Sequence, residues 1–346
     1  MSILDNALSQ NADNDDLFKA KIMVCGVGGG GSNTVQRMSK LSITGAELIA
    51  ANTDGKHLNT MDSSIKKILL GGALTRGLGA GGFPEMGAKA AEYSRSDIER
   101  TVQGSDLLFI TAGMGGGTGT GAAPVIAQIA KDSGTLVVGI VTYPFALERV
   151  RLQVAKKGIE ELRRNSDTVI VIDNQRLVDV YKNLAIDQAF KVADEVASRA
   201  VKGITETINK PGLINVDFAD IRSVMTNGGI AMISIGEGRG PSKVDDAVSS
   251  TLKNKLLDVD YEGTTGIVLY IVGGEDLTLG EANEIAMKLT EKAAPNANVI
   301  WGARIEPEYN GRVETVAIFT GIKSPQILGG TSIDSKKENL DDLGWA

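Results

Sequence analysis

The sequence predicts an α/β fold: a doubly wound, mostly parallel sheet, a long central connecting helix, and a second, smaller α/β block. Three observations predict it. Short apolar runs of strand length alternate with stretches of helical periodicity along the first half of the chain, the pattern of a parallel sheet covered on both faces. Glycine clusters at 26–31 and 113–121 each fall between a strand and a helix. The stretch 187–208 places Phe190, Ala193, Ala197, Val201, Ile204 and Ile208 at threes and fours, which is the stripe of a buried helix.

Taken in order, KIMVCGV (21–27) reads as a buried strand and NTVQRMSKL after the glycines as a helix. Strands follow at 46–54 and 66–71, then a helix at 84–102 with Pro84 in its first turn, where a missing N–H costs nothing. Residues 105–113 and 135–144 read as strands around a helix at 122–132. A helix at 147–165 and the strand DTVIVID (167–173) complete the first block. The second block holds strands near 229–235, 266–273, 297–304 and 313–320, with helices near 243–257 and 278–294. Thr278 and Glu281 have capping-box spacing. The expected organisation is a polar arm (1–20), a nucleotide-binding domain (21–186), the central helix (187–210), a second domain (211–323) and a polar tail (324–346).

Composition removes several classes of function. A net charge of -7 offers no basic footprint for nucleic acid. One cysteine excludes a disulfide framework and a cysteine-based zinc site, and suggests a reducing compartment. Cys25, inside the first strand, reads as a small buried residue, and His57 as a surface-loop histidine. The start of the chain lacks a signal-peptide pattern, and no apolar run is long enough to cross a bilayer, so a cytoplasmic address is expected. Glycine is the anomaly: 42 of 346 residues, against roughly 7% on average.

GVGGGGSN (26–33) lies between a strand and a helix, where backbone N–H groups and the helix dipole favour an anion. Gly26, Gly28 and Gly31 also satisfy the dinucleotide fingerprint, with Asp54 at the end of the next strand. Alone, that reads as a Rossmann-type NAD-dependent oxidoreductase. The second loop argues otherwise. Gly115 to Gly121 contains five glycines and two threonines, more than a tight turn needs and suited to backbone wrapped around a phosphate chain. A dehydrogenase has one phosphate turn, so two favour a nucleotide with a longer phosphate tail.

GGGTGTGAAP (115–124), together with GVGGGGSN, resembles FtsZ, the tubulin-like GTPase family of prokaryotic cell division. NVDFADIRSVM (215–225) is similar to that family's acidic catalytic loop, and ANTD (51–54), GLGAGG (77–82) and IWGA (300–303) match in the right order. PFALER (144–149) and VADEV (192–196) look like archaeal members.

The resemblance implies a tubulin/FtsZ-like fold that binds GTP or GDP, with Mg²⁺ carried by the nucleotide and no dedicated protein metal site. It implies that Gly29, Gly30, Gly31, Ser32 and Asn33, with Gly115, Gly116, Gly117, Thr118, Gly119 and Thr120, hold the phosphates, Thr118 closest. Gly81 and Gly82 stand near the γ-phosphate, Asn33 and Asn174 at guanine or ribose, and Glu148 at ribose. The basic residue, Arg151, is three places after Glu148, where many members have it at four. Phe190 and Asp194 share a helix face; an aromatic stack and a carboxylate that accepts from N1–H and the 2-amino group suit guanine, because adenine has no N1–H. Asp217 and Asp220 would position and activate water, and the resemblance implies that they serve the nucleotide of the next subunit in a head-to-tail homopolymer at the midcell division site. Spacing alone does not say which site they serve, and one of them could be a helix cap. The tail, ending in ENLDDLGWA, is expected to bind a membrane-anchoring or ring-regulating protein through Leu343 and Trp345, without inserting into the membrane.

Overall fold

The computed structural model describes residues 19–322 other than 42, 44, 181–185, 210–211 and 254–260, and other than the side chains of 178–180, 186–187 and 189–190. The expected arm up to residue 18 and the tail, with Leu343 and Trp345, lie outside the described residues.

The first block alternates β1 (Ile22–Val27), α1 (Gly28–Lys40), β2 (Ala46–Asn52), α2 (Gly55–Asn59), β3 (Lys66–Leu69), α3 (Gly72–Thr75), α4 (Pro84–Tyr93), α5 (Arg95–Val102), β4 (Leu107–Gly113), α6 (Thr118–Asp132), β5 (Leu136–Tyr143), α7 (Arg149–Asn165) and β6 (Thr168–Asp173). Next come α8 (Asn174–Val180), α9 (Ile186–Asn209) and α10 (Phe218–Met225). The last stretch comprises β7 (Gly229–Arg239), α11 (Lys243–Lys253), β8 (Gly266–Gly273), α12 (Leu279–Thr290), β9 (Asn298–Ile305) and β10 (Arg312–Thr320). Among the described residues the strands form one sheet in the order β3-β2-β1-β4-β5-β6-β7-β10-β8-β9. β10 runs antiparallel to both its neighbours, and the other pairings are parallel.

Strand sequence explains the two-sided core. Along β1 the alternate residues Met23, Cys25 and Val27 enter one cluster while Ile22 and Val24 enter the other, as a period of two demands. Burial pushes the Cys25 thiol up to about 12, so it behaves as a small apolar residue. The stripe of α9 lies in the second cluster, where Ala193, Ala197, Val201 and Ile204 pack with Ile172 of β6 and Ile318 of β10. One helix thus holds both halves of the sheet. Arg199 adds a polar tie, 3.2 Å from Glu314 of β10.

Local chemistry changes several expected boundaries. Both glycine clusters run into helices: α1 begins at Gly28 and α6 at Thr118. The helix expected at 84–102 is two, parted at Ser94, whose Oγ accepts from the Gly71 N–H at 2.9 Å. Thr278 and Glu281 do form the capping box, with the Glu281 N–H donating to Thr278 Oγ1 at 3.2 Å and the Thr278 N–H to Glu281 Oε2 at 2.9 Å.

Gly31 shows what the first cluster does for packing. A Cβ there would stand 2.1 Å from the Thr111 carbonyl oxygen on β4. Gly31→Ala should therefore destabilise the fold by about 1–3 kcal/mol, as an overpacked core does. Gly29, whose Cβ would meet nothing within 4 Å, should tolerate alanine within about 0.5 kcal/mol. Urea unfolding of the two variants measures the contrast; equal stabilities would contradict it.

Candidate functional site

The order β3-β2-β1-β4-β5-β6 reverses direction between β1 and β4, and in such sheets ligands bind beyond the carboxyl ends of the strands at this switch point. A cleft of about 730 Å³ opens there, bounded by α1, the ends of β4 and β5, the 144–151 segment, Asn174 and α9.

Its floor is made by two helix ends. Neither α1 nor α6 has a side-chain cap at its N-terminus, so first-turn N–H groups keep their donors for a ligand, with the positive end of each dipole behind them. The ends converge: a Cβ on Gly28 would lie 2.7 Å from the Gly119 nitrogen. A Cβ on Gly29 or Gly116 would meet nothing within 4 Å, so there the backbone faces open space. Around Gly117 the loop 80–83 closes in, with Phe83 N and Ala80 Cβ 2.9 Å from a built Cβ. Gly81 and Gly82 take φ of 62° and 83°, the left-handed conformation glycine allows, in that loop.

Gly30, Asn33, Gly116, Glu148, Arg151, Asn174 and Asp194 line the cleft. Glu148 and Arg151 pair at 2.7 Å, and Glu148 Oε1 accepts from the Phe145 N–H at 3.1 Å, so both acid and base are held at the rim. Asn174 is buried, and its Oδ1 has no hydrogen-bond partner among the described residues. Such an unpartnered acceptor at the cleft wall is free to take a donor from a ligand or from water. Asp194 accepts from Thr34 Oγ1 at 2.7 Å and from Arg37 Nε at 3.4 Å. Burial lifts its carboxyl above the ordinary range, and Thr34 and Arg37 oppose that rise. Thr34 and Arg37 escaped the sequence reading. Their signal was a shared helical face after the first loop, but nothing local tells which distant carboxylate they meet. The side chain of Phe190 lies outside the described residues.

Other expected residues take supporting places. Ser32 is fully buried, and its Oγ, like Asn174 Oδ1, has no hydrogen-bond partner among the described residues. Thr120 is also buried, and its hydroxyl accepts from the Gly115 N–H at 2.9 Å, which shapes the loop from behind. Gly31 lets α1 sit on β4. Gly115 lets the 144–151 segment approach, since a Cβ would stand 2.9 Å from the Arg151 carbonyl. Thr118 Oγ1 lies 2.6 Å from Thr53 Oγ1, linking the second loop to the end of β2. His57 is not in a loop but in α2, half-buried, between Asn52 and Asn33. Asp54, the ribose ligand of an NAD site, instead caps α2 by accepting from the His57 N–H at 3.1 Å.

Asp217 and Asp220 do not line this cleft. They stand exposed at the N-terminus of α10 and cap each other: the Asp220 N–H donates to Asp217 Oδ1 at 2.8 Å, and the Asp217 N–H to Asp220 Oδ2 at 3.2 Å. The cap is therefore real for both. Among the described residues, no three His, Cys, Asp or Glu side chains gather as a metal site, and no helix is long and apolar enough to cross a membrane.

Comparison with known proteins agrees with this geometry. Residues 21–182 match the family model described as Tubulin/FtsZ family, GTPase domain, and residues 229–323 the FtsZ family, C-terminal domain. The chain is 52% identical to Cell division protein FtsZ 2 of Methanocaldococcus jannaschii, over 95% of this chain and 88% of that one. It is 48% identical to Cell division protein FtsZ 2 of Haloferax volcanii, over 92% and 79% respectively. A solved structure described as an empty FtsZ dimer from M. jannaschii superposes with a TM-score of 0.85 at 46% identity, covering 93% of each chain. Fold and cleft define a tubulin-like nucleotide-binding protein. The chain belongs to the FtsZ family of cell-division GTPases. Guanine-nucleotide binding and GTPase chemistry come with that membership, and the NAD-dependent reading finds no support.

The Asp194 environment makes a direct prediction. In Arg37→Met the charge and hydrogen bond that oppose burial are gone, so the Asp194 carboxyl should titrate at higher pH than in the wild type. Carboxyl ¹³C chemical shifts followed through the acid range measure it; an unchanged or lowered titration would refute the stated balance.

Proposed function

We propose that this chain binds GTP in the cleft, assembles head-to-tail, and hydrolyses GTP at a site completed by Asp217 and Asp220 of the partner subunit, in filaments of a midcell division ring. One observation carries the reading. The acidic pair is exposed and outside the cleft of its own chain, which supports a role on a nucleotide held by a second copy. Exposed Phe83, Leu147 and Val150 near the cleft, and exposed Leu213 near the acidic loop, give apolar surface to such a contact. A contact between unlike faces propagates into an open filament. A related M. jannaschii protein is described as a dimer, in keeping with self-association.

In this reading the N–H groups at the starts of α1 and α6, including those around Gly29, Gly30, Gly116 and Gly117, hold the phosphates, with Gly81 and Gly82 at the γ end. Asp194 accepts from the guanine N1–H and 2-amino group, Phe190 stacks on the base, and Asn174 Oδ1 takes a further donor. Glu148 accepts from ribose hydroxyls with Arg151 at its side. When bound with the nucleotide, Mg²⁺ would supply neutralisation of charge on the phosphates. The two carboxylates orient the attacking water in line with the γ-phosphorus and take its proton as a new oxygen–phosphorus bond forms and the bond to the bridging oxygen of the departing GDP breaks. We further propose that the 324–346 segment binds a membrane-anchoring or ring-regulating protein. Deleting 331–346 should then abolish recruitment by that partner and leave GTP turnover intact; unchanged recruitment argues against it.

Capping and catalysis separate by isosteric substitution. Asn caps a helix about as well as Asp but carries no charge and is a poor base. Asp217→Asn or Asp220→Asn should keep stability and GTP affinity while phosphate release falls on the order of 10²-fold or more. Added to wild type, either variant should lower wild-type turnover as well. Wild-type activity that ignores the added variant would defeat the shared-site reading.

A further inference from the structure

A chain of hydrogen bonds with one direction leads from β2 to the cleft wall. The Asp54 N–H donates to Asn52 Oδ1 at 3.3 Å. A backbone amide cannot accept, so the Asn52 carbonyl oxygen is fixed there and its NH₂ must face away. That nitrogen lies 3.3 Å from His57 Nδ1. An NH₂ only donates, so Nδ1 accepts, and the neutral imidazole carries its proton on Nε2. Nε2 lies 3.1 Å from Asn33 Oδ1, which must be the acceptor. The backbone N–H of His57 donates to Asp54 Oδ1 at 3.1 Å as part of the α2 cap, which fixes the main chain from which the ring projects.

Asn33 lines the cleft. With its oxygen taken by His57, what it offers a ligand is the pair of Nδ2 donors. An asparagine free to flip would present oxygen or nitrogen with little preference; this one is held in one sense by a backbone amide three links away.

We propose that His57, as the Nε2–H tautomer, is a positioning residue that fixes Asn33 with its donors toward the nucleotide. The cleft wall then selects an acceptor at that point of the bound guanosine, the ribose 2′-oxygen or the purine N3. This rests on the reading of the cleft as a guanine-nucleotide site. The polarity at Asn33 complements that at Asp194, where the wall offers a carboxylate acceptor instead. A site with a donor at one point and an acceptor at another recognises the nucleoside by its edge pattern, because a mismatched ligand leaves a polar group unpaired.

The sequence contains one histidine, so a long-range ¹H–¹⁵N spectrum of the full chain labelled with ¹⁵N-histidine reports His57 alone. In nucleotide-free protein, at a pH where the imidazole is neutral, the Nε2–H tautomer is expected; the Nδ1–H tautomer overturns the proposal. GTP affinity supplies the second arm. His57→Ala should weaken binding about three- to tenfold, the scale of one lost hydrogen bond. His57→Gln, which carries an acceptor and a donor, should recover most of the loss, a rescue that a purely structural role would not give. Melting curves confirm that both variants are folded. The effect of His57→Ala should vanish with 2′-deoxy-GTP if the acceptor is the 2′-oxygen, and with 3-deaza-GTP if it is the ring nitrogen. A loss that persists with both analogues, or no loss with GTP, overturns the proposal. Wild-type chain that binds no GTP overturns the nucleotide reading itself, and the tautomer still judges the hydrogen-bond chain.

Discussion

The structure depends on a close approach of backbone to backbone where two helices begin. α1 can lie on β4 because Gly31 carries no side chain to meet the Thr111 carbonyl, and its first turn folds tightly because Gly26 has none to meet Gly31. α6 starts beside α1 for the same reason, with the Gly119 nitrogen close to where a Gly28 side chain would be. Gly121 lets the start of α4 press on α6, since a Cβ there would overlap the Pro84 carbonyl. The result is two helix N-termini, neither capped by a side chain, aimed into one cleft over the carboxyl edge of the sheet. What an ordinary protein does with a serine or aspartate cap is left here to a ligand. Anion binding follows from packing in this arrangement.

Much of this was legible in the sequence, and the misses have physical causes. Strands such as 22–27 and 168–173 are near-continuous apolar runs buried on both faces, which period and length alone reveal. The stripe on α9 was equally plain. The glycine clusters announced loops, yet both continue into helices, because glycine's low helix propensity is outweighed by the packing that demands it. Asp54 satisfied a familiar spacing while serving as a cap. Thr34 and Arg37 stayed invisible because their importance comes from a carboxylate some 160 positions away, a contact only the fold creates.

The acidic loop shows how one pair of residues can hold a structural and a chemical role together. Asp217 and Asp220 close a capping box on α10, which rigidly presents their remaining oxygens to solvent at the end of a short helix. A cap needs only one oxygen from each. The others are pre-oriented without further cost in side-chain entropy, the condition under which a carboxylate can hold a water in a fixed line. In the proposed head-to-tail contact that geometry acts on the nucleotide of another copy, which would make each chain half of two active sites.

The central claim is that hydrolysis needs two copies of the chain, and the most direct test is the rate of phosphate release per chain as total protein concentration is raised at saturating GTP. The account predicts a rate per chain near zero in dilute protein that climbs as subunits associate and then levels off. A rate per chain that stays constant from dilute to concentrated protein would show that each chain completes its own site, and would contradict it.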